Sequence, residues 1–314
     1  MQRNDILKLL FETPYEALRE RADEVRAREK GAHVFVRGLI EFSNRCERNC
    51  RYCGLRSANP SLKRYRLDEA QIVEAVAFGV DTLVLQSGEV HDAPQRIAHV
   101  VDALRTRFPV AVTLSVGEQP TASYALWKEA GASRFLLKHE TADASLYAAL
   151  HPGYTLTQRV DALQRLRRAG YEIGSGFIVG VPGQRPETLA DDILLARELH
   201  VDMCGAGPFI PQADTPLGNE PQGSVELALR VMAVLRIALP WSNLPATTAL
   251  ASLDPVSGQR EGLLAGGNVL MPGFTPAAHR EDYCIYDNKH RVSMDEARQV
   301  IESAGRTHSL HREG

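Results

Sequence analysis

No stretch of this chain is long and apolar enough to cross a bilayer: a run of about 18 apolar residues does not occur. Low-complexity segments and Ser- or Pro-rich linkers are also missing, so nothing marks off a second domain. Neither charge sign is in excess. The 36 Lys and Arg stand against 39 Asp and Glu, a net charge of −3, which removes the general electrostatic reason to expect nucleic acid or an anionic membrane as partner. Cysteine is scarce. Five is an odd number, three are bunched, and such a set is no disulfide framework. The first 31 residues are rich in charge and lack an apolar core of signal-peptide length. These absences together predict a cytoplasmic protein, in a reducing compartment where thiolates survive.

What is present is an ordinary globular composition, 44% hydrophobic and 24% charged over 314 residues, enough for one large α/β barrel or two ordinary domains. Residues 3–29 carry Ile6, Leu9, Leu10, Tyr15, Leu18 and Val25 at helical spacing, and Gly31 ends the pattern. Strand-like runs then recur at 33–43, 82–86, 110–116, 134–139, 173–179, 203–210, 244–249 and 268–271. Helical patterns alternate with them at 68–78, 93–107, 121–130, 144–150, 157–168, 186–199, 224–238 and 258–265. Alternating strand and helix with buried-looking strands predicts a parallel sheet, and eight repeats predict its closure into a complete (βα)8 TIM-type barrel. One domain is expected over 1–314: an N-terminal helical region (1–31), the barrel (33–272) and a closing segment (273–314) holding a helix at 294–304 and a frayed end.

The chain is organised around residues 42–56, FSNRCERNCRYCGLR, directly after the first strand. Cys46, Cys50 and Cys53 form a C-x3-C-x2-C run, with Tyr52 before the last. Three thiolates this close can grip three irons of a cubane cluster. The fourth iron is then left for substrate or cofactor, as in catalytic metal sites generally. A zinc knuckle or three unrelated cysteines are the alternatives, but no fourth Cys or His follows at short spacing. Cys204 and Cys284 are isolated and read as buried small hydrophobes.

In a barrel the chemistry gathers at the C-terminal strand ends. After strand two come Ser87, Gly88 and Glu89, either an ordinary turn or a place where backbone approaches a ligand. Thr113 and Ser115 share one face of strand three, as ligand contacts or as satisfied interior hydroxyls. Arg134, Lys138 and Glu140 fall on one face by period two, and three charges inside a barrel are costly unless paired or bound. Arg159, alone on a helix, reads from its own pattern as a surface residue. Gly180, Pro182 and Gly183 end strand five in a tight turn or a planar-group contact. Thr247 and Thr248 end strand seven, and Met271, Pro272 and Tyr283 close the ring.

The cysteine run with Tyr52 resembles the signature of the radical S-adenosylmethionine (SAM) superfamily. Within it the chain resembles the HydE family of [FeFe]-hydrogenase maturases over residues 35–290. The segments that carry the likeness include LVLQSGE (83–89), VTLSVGEQP (112–120), RFLLKHETAD (134–143), GPFIPQADTPL (207–217), LPATTAL (244–250) and GGNVLMPGFTP (266–276). The resemblance implies one [4Fe-4S] cluster on Cys46, Cys50 and Cys53, with SAM on the open iron. It implies Tyr52 beside the adenine, Glu140 and Arg159 at the methionine part, and Gln86, Ser87, Gly88, Glu89, Thr113 and Gly180 around the cofactor. Arg37, Arg134, Thr247, Thr248, Met271 and Tyr283 would line an internal cavity. An iron–cysteine complex bearing CO and cyanide is the implied substrate, and an electron donor and the other hydrogenase maturases are the implied partners. Some family members carry three further C-terminal cysteines for a second cluster, which this chain does not. An amino-acid mutase that makes methylornithine is the nearest alternative, kept open by Asp254. A non-catalytic carrier of an iron complex is another.

Overall fold

The computed structural model describes residues 1–76, 80–91 and 94–309. Its elements follow the predicted alternation. Helices α1 (Arg3–Phe11) and α2 (Tyr15–Lys30) precede β1 (His33–Ser43). Then come α3 (Glu69–Glu74), β2 (Thr82–Ser87), α4 (Pro94–Arg107), β3 (Ala111–Ser115), α5 (Thr121–Glu129) and β4 (Ala132–Leu136). They are followed by α6 (Ala144–Leu150), α7 (Leu156–Arg168), β5 (Glu172–Val179), α8 (Pro186–Glu198) and β6 (Met203–Pro208). The last are α9 (Val225–Ala238), α10 (Thr248–Leu253), α11 (Gly258–Leu264), β7 (Val269–Leu270), α12 (Met294–Ser303) and β8 (Thr307–Ser309). The expected helix at 68–78 ends, and that at 93–107 begins, outside the described residues.

The strands form a parallel sheet in the order β6-β5-β4-β3-β2-β1-β7, with β8 also on β1. It curls. Arg37 of β1 reaches Met203 of β6 (Nη1 to Sδ, 2.7 Å), although four strands separate the two along the sheet. Arg134 of β4 likewise donates to Thr82 Oγ1 of β2 at 3.0 Å, over the top of β3. Period two therefore sorts the side chains. Arg37, Thr82 and Arg134 point inward; Leu83, Leu85, Val112, Leu114, Phe135 and Phe177 point outward into the main core shared with the helices.

Where strand seven is expected, at 244–249, the chain makes only isolated bridges. Asn243 pairs with Met203 and Pro245 with Val269. Cys204 N donates to Asn243 O (3.0 Å), and Ala246 N to Val269 O (3.0 Å). Proline has no N–H to give a ladder, and Thr247 already serves as the N-cap of α10. The sheet is thus continuous over seven strands in its path, with bridges in place of the eighth. Of the C-terminal end expected to fray, residues 307–309 form β8, and residues 310–314 lie outside the described residues.

Pro14 splits the N-terminal helical region into α1 and α2. Both pack on α9, and α1 also on α8. Arg236 of α9, fully buried, donates to Gly266 O, Pro240 O, Ser242 O and Asn268 Oδ1 at 2.8–2.9 Å. No helix among the described residues is long and apolar enough to cross a membrane.

Candidate active site at the cysteine loop

A register shift between Glu41 and Ser43 ends β1 and turns the chain into the cysteine loop; such bulges re-aim the chain beside sites. Side-chain hydrogen bonds then hold the loop, since it has no ladder of its own. Asn44 accepts from Tyr65 N (2.8 Å) and donates to Lys63 O and Asp282 O (both 2.7 Å). Arg64 donates to Asn44 O, Leu55 O and Arg56 O at 2.7–2.8 Å. Gly88 lies so close beneath that a Cβ there would stand 2.3 Å from Arg45 O and 2.7 Å from Cys46 Cβ. That close approach is the reason for glycine after strand two.

The three thiols are largely buried, and Cys50 and Cys53 also feel the charge of their neighbours. Burial pushes Cys50 up to about 12, with the Cys46 charge adding to it. Burial raises Cys53 and Cys46 as well, and Cys50 acts further on Cys53. Among the described residues no three His, Cys, Asp or Glu side chains stand close enough to cage a single ion. Neighbouring sulfurs that are buried and reluctant to ionise alone suit a multi-iron cluster, whose positive charge compensates the thiolates.

Beside the loop lies a buried network of two arginines and two glutamates. Arg48 contacts Glu89 through Nε and lies 3.2 Å from Glu118 through Nη2. Arg159 Nε is 2.8 Å from Glu118 and 3.0 Å from the Tyr147 hydroxyl. Glu118 N donates to Glu89 Oε2 at 2.9 Å, and the Arg48 guanidinium lies over the Tyr154 ring at 3.3 Å. Arg159 is therefore no surface residue; it is buried. Charges balance, which is what allows the set to be buried at all. Arg48, Glu118 and Tyr147 escape the reading of the sequence. One signal does point to Glu118: Gly-Glu follows strand two (Gly88-Glu89) and recurs after strand three (Gly117-Glu118). Gly117 has φ +75, and a Cβ on it would strike the Glu89 side chain.

Tyr52 faces Leu150, Ile178, Val181 and Phe209, and its hydroxyl bonds His151 Nε2 at 3.0 Å. Glu140, at φ +65, sits just past the end of β4, where its N donates to Gly176 O at 2.9 Å. Burial pushes the Glu140 carboxyl upward, but Lys138 at 3.0 Å, with His151 and Arg159, holds it below its ordinary value. Arg134 does not join it. It bonds Glu172 (2.7 Å) and Thr82, the first residues of β5 and β2, and so belongs with Arg37 at the opposite end of the strands. Arg134 and Glu140 share a face by period two, but six residues of extended chain at about 3.3 Å each keep them at opposite ends.

Other predicted residues are placed as follows. Gln86 and Ser87 end β2, and the Ser87 hydroxyl donates to Gly88 O. Thr113 Oγ1 and Thr247 Oγ1 are buried without a hydrogen-bond partner. Gly180 N donates to Gln184 Oε1 (2.6 Å). Thr248 and Met271 line a cavity of about 280 Å3. Tyr283 is buried nearby, with Lys289 Nζ 5.0 Å from its ring centre. Asp254 is taken up locally: its carboxylate accepts from Val256 N and Ser257 N in the turn before α11. Cys204 is buried, but Cys284 is only partly so, against the expectation for it.

Residues 40–196 match the family described as the radical SAM superfamily. Over 279 residues, 87% of the chain and 80% of the relative, the sequence is 48% identical to "[FeFe] hydrogenase maturase subunit HydE" of Thermotoga maritima. The chain belongs to the radical SAM superfamily. As a radical SAM enzyme it uses a [4Fe-4S] cluster and SAM. It is also 28% identical to 3-methylornithine synthase of Methanosarcina acetivorans, over 94% of this chain and 85% of that one. The crystal structure of methylornithine synthase (PylB) matches this radical SAM fold with a TM-score of 0.88 at 26% identity, covering 98% of this chain and 94% of that one.

Proposed function

We propose that this chain is an [FeFe]-hydrogenase maturase of the HydE type, cytoplasmic and acting on a small iron–cysteine complex bearing CO and cyanide. The observation that carries it is the 48% identity to a maturase over most of both chains. The barrel is then complete in function: the bridges at 243–246 stand for the missing strand, α1 and α2 form an N-terminal extension, and residues 273–292 of the closing segment lie over the top. One domain covers 1–314.

Cys46, Cys50 and Cys53 hold the cluster. Bound there, the cluster and SAM supply a 5′-deoxyadenosyl radical by one-electron reductive cleavage. The chain's own work is orientation and exclusion of water. Arg159 and Glu140 bracket the methionine end with one cationic and one anionic group. Tyr52 fixes the adenine side, with Gly180 allowing close backbone approach. Gln86, Ser87, Gly88, Glu89 and Thr113 complete the rim. Arg37 and Arg134 offer fixed positive charge deep in the interior. Thr247, Thr248, Met271 and Tyr283 line the upper part, where the orphaned Thr247 hydroxyl offers a hydrogen bond to a ligand, as that of Thr113 does deeper down, in register with Arg134. An electron donor and the other hydrogenase maturases are the partners.

The test is anaerobic incubation of the reconstituted, reduced protein with SAM. Formation of 5′-deoxyadenosine, and restored hydrogen evolution in an assembly mixture lacking its own maturase of this type, are expected. No 5′-deoxyadenosine would leave a carrier of an iron complex. Cleavage of SAM without hydrogenase assembly would favour an amino-acid mutase, a reading to which one observation lends weight: a carboxylate, Glu41, faces the cavity.

A further inference from the structure

We propose that Glu41 and Lys289 form a receptor for a small zwitterionic α-amino acid with an apolar side chain. The inference rests on reading the interior as the substrate chamber of a radical SAM enzyme, and assigns its upper part a ligand class. Glu41 lies on the inward face of β1, in step with Arg37 and Leu39. Its backbone is fixed on two sides: Glu41 N donates to Thr275 Oγ1 (2.9 Å), and the Tyr65 hydroxyl donates to Glu41 O (2.6 Å). The carboxylate accepts from Thr275 Oγ1 at 3.1 Å through Oε2, and contacts Lys289 Nζ through Oε1. Lys289 comes from residues 280–292, which fold over the strand ends without a strand or α-helix.

An ion pair of this kind is usually sealed by packing. Here both members line a cavity of about 280 Å3, together with the apolar Leu39, Met271, Phe274 and Val292 and the basic Arg280, His290 and Arg291. At about 30 Å3 per water, that space holds roughly nine waters, which is ample for an amino acid of medium size. The two poles therefore face one volume whose wall is apolar on the side of Leu39, Met271, Phe274 and Val292. An incoming ammonium can take Glu41 while its carboxylate takes Lys289. Every charge then stays paired throughout. A simple anion would leave Glu41 without a cation, and a simple amine would leave Lys289 without an anion, and an unpaired buried charge is costly. The pair thus selects for both charges on one ligand. Of the other cations on the wall, Arg291 is engaged by Glu281, and Arg280 donates through Nε to Thr275 O at 2.6 Å.

The test uses the cluster-loaded protein, without oxygen or reductant and saturated with SAM so that the methionine site is filled. L-norleucine, N-acetyl-L-norleucine and 1-aminopentane are titrated by calorimetry. L-norleucine binds, and the other two bind at least tenfold more weakly. The Glu41→Gln/Lys289→Gln double variant, which removes both charges and strands neither, loses at least tenfold in norleucine affinity while keeping SAM affinity and melting temperature. Absence of norleucine binding, equal binding of the acetylated or decarboxylated probe, or an unaffected double variant would overturn the proposal. SAM cleavage is measured on the same sample. Cleavage without amino-acid binding sinks this inference alone; binding without cleavage sinks the enzyme reading alone.

Discussion

The Tyr52 hydroxyl lies 3.0 Å from His151 Nε2, and His151 Nδ1 lies 3.1 Å from Tyr147 O. A carbonyl only accepts, so Nδ1 carries the proton and Nε2 accepts from Tyr52. Burial keeps the ring neutral by pulling His151 down to about 4. Tyr147 stacks on it at 4.3 Å between centroids. His151 is thus a positioning residue for the aromatic that precedes the third cysteine.

His151→Phe preserves the stack but orphans a buried hydroxyl, at a cost of about 1–3 kcal/mol. Adding Tyr52→Phe removes the orphan and restores most of that loss. Urea unfolding of the two singles and the double gives the coupling. Additive singles would mean that the bond contributes nothing.

Glu118 is shared by Arg48 and Arg159. Glu118→Gln leaves two buried guanidiniums to one carboxylate, Glu89. Breaking a buried charge set this way costs about 3–5 kcal/mol. A fall in the urea midpoint at constant slope is expected, far larger than that of Glu226→Gln, whose partner Arg230 is met on an exposed helix face with the carboxylate side chain 69% exposed.

Gly88→Ala places a Cβ 2.3 Å from a backbone oxygen of the cysteine loop. Backbone must move, so iron content after reconstitution should drop below about half of wild type, as the three sulfurs lose their alignment. Gly273→Ala, with nothing within 4 Å, is the control and retains its iron.

Alanine at Cys46, Cys50 or Cys53 should each abolish the cluster's visible absorbance, while Cys284→Ala keeps it. Cys284 is partly exposed, and its Sγ is occupied with Glu281 O at 2.7 Å. Iron and sulfide assays on the four variants decide the matter. Full iron in any of the first three variants would remove that cysteine from the ligand set.

The alternation of strands and helices was legible because each outward strand face is a row of apolar residues such as Leu83, Leu85, Val112 and Leu114. Strand seven was misjudged because LPATTAL has strand-like composition, while Pro245 and the Thr247 cap act through backbone geometry that composition does not carry. That Cys46, Cys50, Cys53 and Tyr52 share one loop after the first strand was legible from their spacing. Arg48, Glu118 and His151 were not, because their meaning arises only when loops after different strands meet. Arg134 was grouped with Lys138 and Glu140 because the three share a face by period two, which says nothing of how far apart they lie along the strand.

Asp192 of α8 ties two of those loops together. It accepts from Ala142 N and from Gln184 Nε2 (3.0 Å), and Gln184 in turn accepts from Gly180 N. Burial pushes its carboxyl up to about 7, from an ordinary value near 3.8. Between these values the folded chain holds a proton that the unfolded chain has released. Stability from this group is therefore full below about pH 4 and is lost as pH rises through 7. That difference corresponds to no more than about 4 kcal/mol. Asp192→Asn is neutral at every pH and removes the slope. Melting curves from pH 5 to 8 should show wild type losing ground to the variant as pH rises. Parallel curves would mean that the carboxylate is ionised in the fold across the whole range, its hydrogen bonds having outweighed its burial.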